Sequence, residues 1–276
     1  MKQGQPTPRG FHFLLYGPPG VGKTTLGSQM PRPVAILDID KGSGWLYDDL
    51  DGVDVYTVEL GQDVSKETEA FIKAATQGKG NPGTYRSIVI DTLSSLREQH
   101  LQEMAGGGLF YERGDYGIAT NWLKRILTIS QYAPQMIMWI THEKEVEDGP
   151  RLVLRPAGLS DTALHACEAT LDAFVYMGKN AGEGGEVTRF LTTEEIDPNR
   201  GRVGIKAKDR TGFLPGILDV GGLNDDGTPP PMFKPYFEEV IKELGFHRAP
   251  AKKKPAKKKP ARKKSVTKKS AKKSKK

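Results

Sequence analysis

GPPGVGKTT, residues 17–25, follows directly on the apolar run FHFLLY at 11–16. Gly17-Pro18-Pro19-Gly20-Val21-Gly22-Lys23-Thr24 satisfies G-x-x-x-x-G-K-[ST] in full, in the setting the pattern needs, between a strand and a helix. Glycines there let backbone N–H groups wrap a phosphate at a helix start, where the dipole favours negative charge. Lys23 is then the residue that reaches the β and γ phosphates, and the Thr24 hydroxyl is a magnesium ligand. With Thr25 they form a nucleotide-binding stretch, and the expected ligands are a nucleoside triphosphate and Mg²⁺.

The second half of such a site is a carboxylate at the end of another buried strand. SIVIDTLSSL (87–96) supplies it, because Ile88-Val89-Ile90 runs into Asp91. Asp91 is the candidate for the second magnesium ligand. The bland alternative, an aspartate capping the next helix, loses weight beside the upstream phosphate loop.

Between these motifs the chain reads as VAILDID (34–40), a buried strand, VDVYTVEL (53–60), an alternating one, and SKETEAFIKAATQ (65–77), a helix. Helical stretches are expected from Asp91 to about Met104 and from Ile118 to about Tyr132. A glycine-rich break, AGGGLFYERGDYG (105–117), separates them. MIMWITH (136–142) reads as a buried strand before a mixed-charge loop at 143–156, and 159–170 as a helix. Segments 171–177, 187–193 and 202–208 read as closing strands. The fold expectation is α/β, a mostly parallel sheet flanked by helices with extra antiparallel strands.

The 276 residues suffice for one sizeable α/β domain, and no apolar run approaches the ~18 residues of a membrane span. MKQGQPTPRG lacks the apolar segment of a secretory signal, so a cytoplasmic location is expected, with no membrane partner. Cys167, the single cysteine, excludes an internal disulfide and reads as a buried structural thiol. The net charge of +7 conceals a division. Of 41 basic residues, 16 lie in 248–276 with no acid among them, which leaves 25 against 34 acidic residues in 1–247, a net −9. The expected organisation is an ATPase domain over 1–247 and a disordered Lys/Pro/Ala-rich tail over 248–276.

The phosphate loop resembles the GPPGxGKT of AAA+ machines. Those proteins usually carry Asp-Glu where this chain has Asp91-Thr92, and a helical lid where 171–208 reads as strands. RecA-like ATPases instead place the water-activating carboxylate at the end of the strand after the phosphate-loop helix. ILDID (36–40) resembles that pattern, and Asp40 takes the final place. Asp38 and Asp40 share a strand face, and Asp40 is nearer the end where ligands of such sheets collect. His142, ending MIMWITH, resembles the γ-phosphate sensor of that class, and IKAKDRTG (205–212) resembles the stretch whose lysines reach a neighbouring subunit's ATP. Lys206 and Lys208 are therefore candidates for a site completed in trans, with Arg210 a third. In order and spacing, residues 10–217 resemble the phage-encoded, core-only RecA-like ATPases, the fourth subfamily of Sak-type recombination proteins. That resemblance implies single-stranded DNA as a partner, in recombination, annealing or replication, and a homo-oligomer with ATP between subunits. ATP over GTP is also implied by it, since no guanine-reading N-K-x-D follows the core.

DNA contact within the acidic body is expected only locally, through Arg151 and Arg155 of the 143–156 loop. Phe110, Tyr111, Arg113 and Tyr116 are stacking candidates, though aromatics of such a stretch more often pack back on their own domain. The polycationic tail is the stronger candidate, since it gives salt-sensitive affinity without sequence readout. Three alternatives stay open: an ATP-switched nucleic-acid-binding protein with little turnover, an AAA-type ATPase, and a small-molecule P-loop kinase.

Overall fold

A computed structural model describes residues 9–42, 50–59, 62–77, 85–108, 110–182, 185–196, 203–226 and 228–244. The tail 248–276 and the proposed boundary at 247 lie outside the described residues. The strands are β1 (His12–Gly17), β2 (Val34–Asp38), β3 (Val53–Tyr56), β4 (Ser87–Asp91), β5 (Met136–Asp148), β6 (Arg151–Pro156), β7 (Ala173–Ala181), β8 (Val187–Thr192), β9 (Gly204–Ile205), β10 (Lys208–Asp209) and β11 (Ile217–Gly221). The helices are α1 (Lys23–Ser28), α2 (Val64–Gln77), α3 (Leu93–Met104), α4 (Arg113–Ser130), α5 (Asp161–Thr170) and α6 (Phe233–Glu243).

The main sheet runs β11-β8-β7-β1-β5-β4-β2-β3. From β7 to β3 every pairing is parallel, while β8 and β11 add an antiparallel flank. This is a RecA-like P-loop arrangement, with β5 standing between the phosphate-loop strand β1 and the Asp91 strand β4. Period-2 alternation builds two cores from one sheet. Leu14, Tyr16, Ile88, Ile90 and Trp139 face the layer of α2–α5, whereas Phe13, Leu15, Val89, Met138 and Val175 face α1 and α6. Both faces are covered, which is why these strands are apolar runs with no polar alternation.

Several sequence expectations change. The 143–156 segment is a β-hairpin: β5 continues to Asp148, and β6 returns with Val146 opposite Val153. Gly149-Pro150 turns the chain between the paired Asp148 and Arg151, with Gly149 at φ 63°, and the alternating charges belong to exposed strand faces. Helix α4 begins at Arg113, five residues earlier than the glycines of RGDYG implied. A reciprocal capping box between Glu112 and Asp115 offsets their cost. Segment 202–208 is no single strand, since β9 and β10 are two-residue pieces on different partners. Sequence reading also passed over β11 and α6. The latter buries Phe233, Tyr236, Phe237, Val240 and Ile241, with Phe237 against Phe13 at 4.6 Å between ring centroids.

Candidate nucleotide site

Parallel register puts the site at the C-terminal edge of the central strands, where ligands of such sheets collect. Gly17 ends β1 opposite His142 of β5, and Asp38 ends β2 opposite Asp91 of β4. The phosphate loop turns out of β1 with Gly20 at φ 66° and Gly22 at φ 108°, left-handed values suited to glycine. Gly17 is required for a different reason: a Cβ there would stand 2.1 Å from the carbonyl oxygen of Met177 on β7.

The cavity at this edge has a volume of about 430 Å³. Gly20, Gly22, Lys23, Thr24 and Thr25 border it on the loop side, and Asp38, Asp40, Asp91, Thr92 and His142 close one end. Of the other loop residues, Val21 is fully buried, and Gly17, Pro18 and Pro19 shape the turn without bordering the cavity. Lys23 Nζ donates to the carbonyl oxygens of Gly17 and Pro18, both at 2.9 Å. Burial lowers its pKa to about 8, against the raising influence of Asp91, Glu143 and Asp40. Asp91 is pushed up to about 6, chiefly by burial, against the hydrogen bond it accepts from Thr24. That bond, Thr24 Oγ1 to Asp91 Oδ2, is 2.6 Å long. Thr92 caps α3, accepting from the Ser95 amide, and its hydroxyl donates to Asp40 Oδ2 at 3.1 Å. Burial, followed by the Lys23 charge, lowers the pKa of His142.

Both Asp38 and Asp40 border the cavity, but β2 ends at Asp38 and not at 40, so Asp40 reaches it from the bend beyond the strand and not from a shared strand face. Lys206 and Lys208 share a direction, but in this chain it leads away from the cavity. Lys206 Nζ pairs with Glu168 at 2.9 Å, Lys208 Nζ donates to the Glu168 carbonyl oxygen at 2.6 Å, and Arg210 donates to Ala169 O at 2.9 Å. The three cations hold the last turn of α5, where the helix dipole favours positive charge. Tyr111 donates to Glu98 and stacks edge-on with Tyr116, which lies under Arg97. These aromatics pack on α3, and only Phe110 is bare, at 93% exposed. In the hairpin, Arg155 pairs with Asp148 at 3.6 Å, while Arg151 is exposed. Cys167 is buried, and burial pushes its thiol up to about 12.

Sequence reading missed four contributors. Glu143, next to His142, adds negative charge beside Lys23 and bonds with the Tyr176 hydroxyl. Lys179 of β7 lies near the loop, its Nζ 4.0 Å from where a Gly20 Cβ would be. Arg189 of β8 donates from Nε to Val21 O at 2.9 Å, and Pro229, Pro230 and Met232 also border the cavity. Each comes from the antiparallel flank or a strand extension, far in sequence from the loop, and no local motif marks it.

The residues present fit a phosphate chain with a divalent cation. An ammonium, a run of loop amides, and a hydroxyl touching a carboxylate meet at one edge; Thr24 Oγ1 and Asp91 Oδ2 are hard oxygen donors of the kind magnesium takes. No cluster of three or more His, Cys, Asp or Glu able to hold a metal occurs among the described residues. Fold and site define a P-loop ATPase. Residues 9–211 match the family described as AAA domain, and the chain belongs to that family. No curated protein matches the chain. Among solved structures it is similar to a KaiC-like protein from the hyperthermophilic archaeon Pyrococcus horikoshii OT3, at 14% identity over 76% of this chain and 89% of that one, with a TM-score of 0.44. Among the described residues, no helix is long and apolar enough to cross a membrane.

Proposed function

We propose that this chain hydrolyses ATP in the presence of magnesium and acts on single-stranded DNA. The observation that carries the hydrolysis is the meeting of Lys23, the Thr24–Asp91 pair and Asp40 at one cavity. Thr24 and Asp91 hold the metal, which when bound neutralises β and γ oxygens of the nucleotide. Lys23 moves from the Gly17 and Pro18 carbonyls to the phosphates. Asp40, oriented by the Thr92 hydroxyl, accepts the proton of the attacking water at a carboxylate oxygen, and His142, which borders the same cavity, is the candidate sensor of the γ phosphate. Support for the nucleic-acid reading comes from the composition of 248–276 and from the RecA-like likeness, which extends it to recombination or annealing in a phage setting, with Lys206 and Lys208 offered to a neighbouring subunit. The chain is then a 1–247 ATPase domain with a 248–276 tether.

The test measures ATP hydrolysis with and without single-stranded DNA on the wild type, Lys23→Ala and Asp40→Asn. DNA-stimulated turnover in the wild type, with a loss of about 10²- to 10⁴-fold in Asp40→Asn, is the expected result. Phosphate transfer to a metabolite and indifference to DNA would overturn it. Deleting 248–276 is expected to remove most salt-sensitive DNA binding and leave nucleotide affinity unchanged.

A further inference from the structure

Strands β7 and β8 bring two cations to the phosphate loop. Lys179 and Arg189 stand opposite each other in the antiparallel register, so both side chains leave the same face of the hairpin. Period-2 alternation says which face it is. Met177 and Leu191, the opposed pair two positions along, lie in the core on the side of α1 and α6. Lys179 and Arg189 continue that face to the loop: a Cβ at Gly22, the N-cap of α1, would stand 3.3 Å from Met177 Cε and 3.8 Å from Arg189 Nε, and Lys179 Nζ is 4.0 Å from a Gly20 Cβ position. We propose that Lys179 and Arg189 form a clamp on the phosphate chain of the nucleotide held by the loop of the same subunit; the proposal rests on the P-loop reading above.

The chemistry of the pair supports this. Like charges directly opposite each other on a sheet are destabilising, and an anion between them turns that repulsion into attraction. Arg189 borders the cavity together with Gly20, Gly22 and Lys23. Its Nε donates to Val21 O at 2.9 Å, which fixes the guanidinium against the loop backbone, and its Nη groups donate to no described residue. A planar fork held in this way suits phosphate oxygens, which arginine binds in a bidentate manner. Lys179 is exposed and enters no ion pair among the described residues. Its charge is nevertheless felt at Lys23, whose pKa is lowered by burial first and then by Lys179. Two cations from one hairpin thus join the loop lysine where the glycine amides turn, which is the charge a phosphoryl group needs around it.

The experiment titrates the full chain calorimetrically with the magnesium complexes of ATP and of tripolyphosphate, which has the phosphates without a nucleoside, and measures thermal denaturation without ligand. Arg189→Gln should weaken both ligands in parallel by about 10- to 100-fold, as expected for hydrogen bonds to a charged group, and Arg189→Lys, which keeps the charge and loses the fork, should fall between it and wild type. Lys179→Glu replaces a like-charged cross-strand pair with an opposite one. It should therefore melt above wild type without ligand, yet bind tripolyphosphate about tenfold more weakly. A residue that served only the fold would lose stability and affinity together. Wild-type affinity for tripolyphosphate in Arg189→Gln or Lys179→Glu, a loss confined to ATP, or a Lys179→Glu that melts below wild type would each overturn the clamp. If Lys23→Ala alone lost tripolyphosphate, the P-loop reading would stand without the clamp; a wild type that binds neither ligand would remove both.

Discussion

Asp91→Asn separates what the carboxylate does for the ligand from what it does for the fold. Burial holds its pKa at about 6 where an ordinary aspartate has 3.8, a preference for the neutral form of about 3 kcal/mol. A carboxyl raised in this way stabilises the folded chain fully below pH 3.8. That contribution is lost as pH rises through about 6, so at pH 7.5 the ligand-free protein carries the cost of a buried charge. Asparagine removes the charge and keeps an oxygen for the 2.6 Å bond from Thr24. The variant without ligand should therefore be more stable than wild type at pH 7.5 by about 1–3 kcal/mol, a rise in Tm of about 5 °C for a chain of this size, and the gain should shrink towards pH 4. Added Mg-ATP should stabilise wild type by about 2.7 kcal/mol at a hundred times its Kd and the variant far less. Thermal denaturation at pH 4, 5.5 and 7.5, with and without Mg-ATP, reads both effects. A variant less stable than wild type at pH 7.5, or a difference that does not change with pH, would refute the reasoning.

Two more outcomes follow from the same geometry. Gly17→Ala drives a Cβ to 2.1 Å from a β7 carbonyl, and should cost more than about 4 kcal/mol by denaturation; Gly114→Ala, inside α4 with nothing within 4 Å of the new carbon, should instead stabilise by roughly 0.5–1 kcal/mol. Nucleotide affinity should trace a bell in pH: it falls below about 6 as Asp91 of the free protein protonates and above about 8 as Lys23 loses its charge. Calorimetric titration across pH 5 to 9 checks the bell, and a flat profile would contradict both shifts.

What the sequence made legible divides along physical lines. The phosphate loop is a contiguous backbone device, so GPPGVGKTT announced it. Asp91 was legible because parallel strands in register bring their C-terminal ends to one edge, which makes "last residue of an apolar strand" a spatial statement; Asp40 lies two residues past the end of β2 and borders the same cavity from the bend there. Hairpin β5–β6 was hidden because its outward faces are charged and only Val146 and Val153 mark the pairing, and the Gly149-Pro150 turn carried more information than the charges around it. Helix α4 starts among glycines that propensity disfavours, and its cap decides the matter. Arg189 and the segment 229–232 could not be read as site residues, because they reach the loop through strand pairings and the hydrogen bonds of Gln29 to Pro230 and Met232 over about two hundred positions, a tertiary effect with no local trace. The likeness of Lys206 and Lys208 to a trans-acting pair concerns a neighbouring subunit, while within the chain their ammonium groups serve α5.

Lys23 and Asp91 show how burial at this site would favour a ligand that carries both charges. Each is ionised in surroundings that burial makes unfavourable to charge, and each is the other's counter-influence. Their direct pairing would satisfy both and leave nothing for a ligand, but the geometry prevents it: the ammonium is held by two loop carbonyls and the carboxylate by a threonine hydroxyl. The ligand-free site therefore retains two partly compensated charges of opposite sign, at a cost to stability that the Asp91→Asn comparison measures. A magnesium nucleotide brings a cation to the carboxylate and an anion to the ammonium, and relieves both. Affinity for the charged end of such a ligand would in this way be stored in the fold as desolvation.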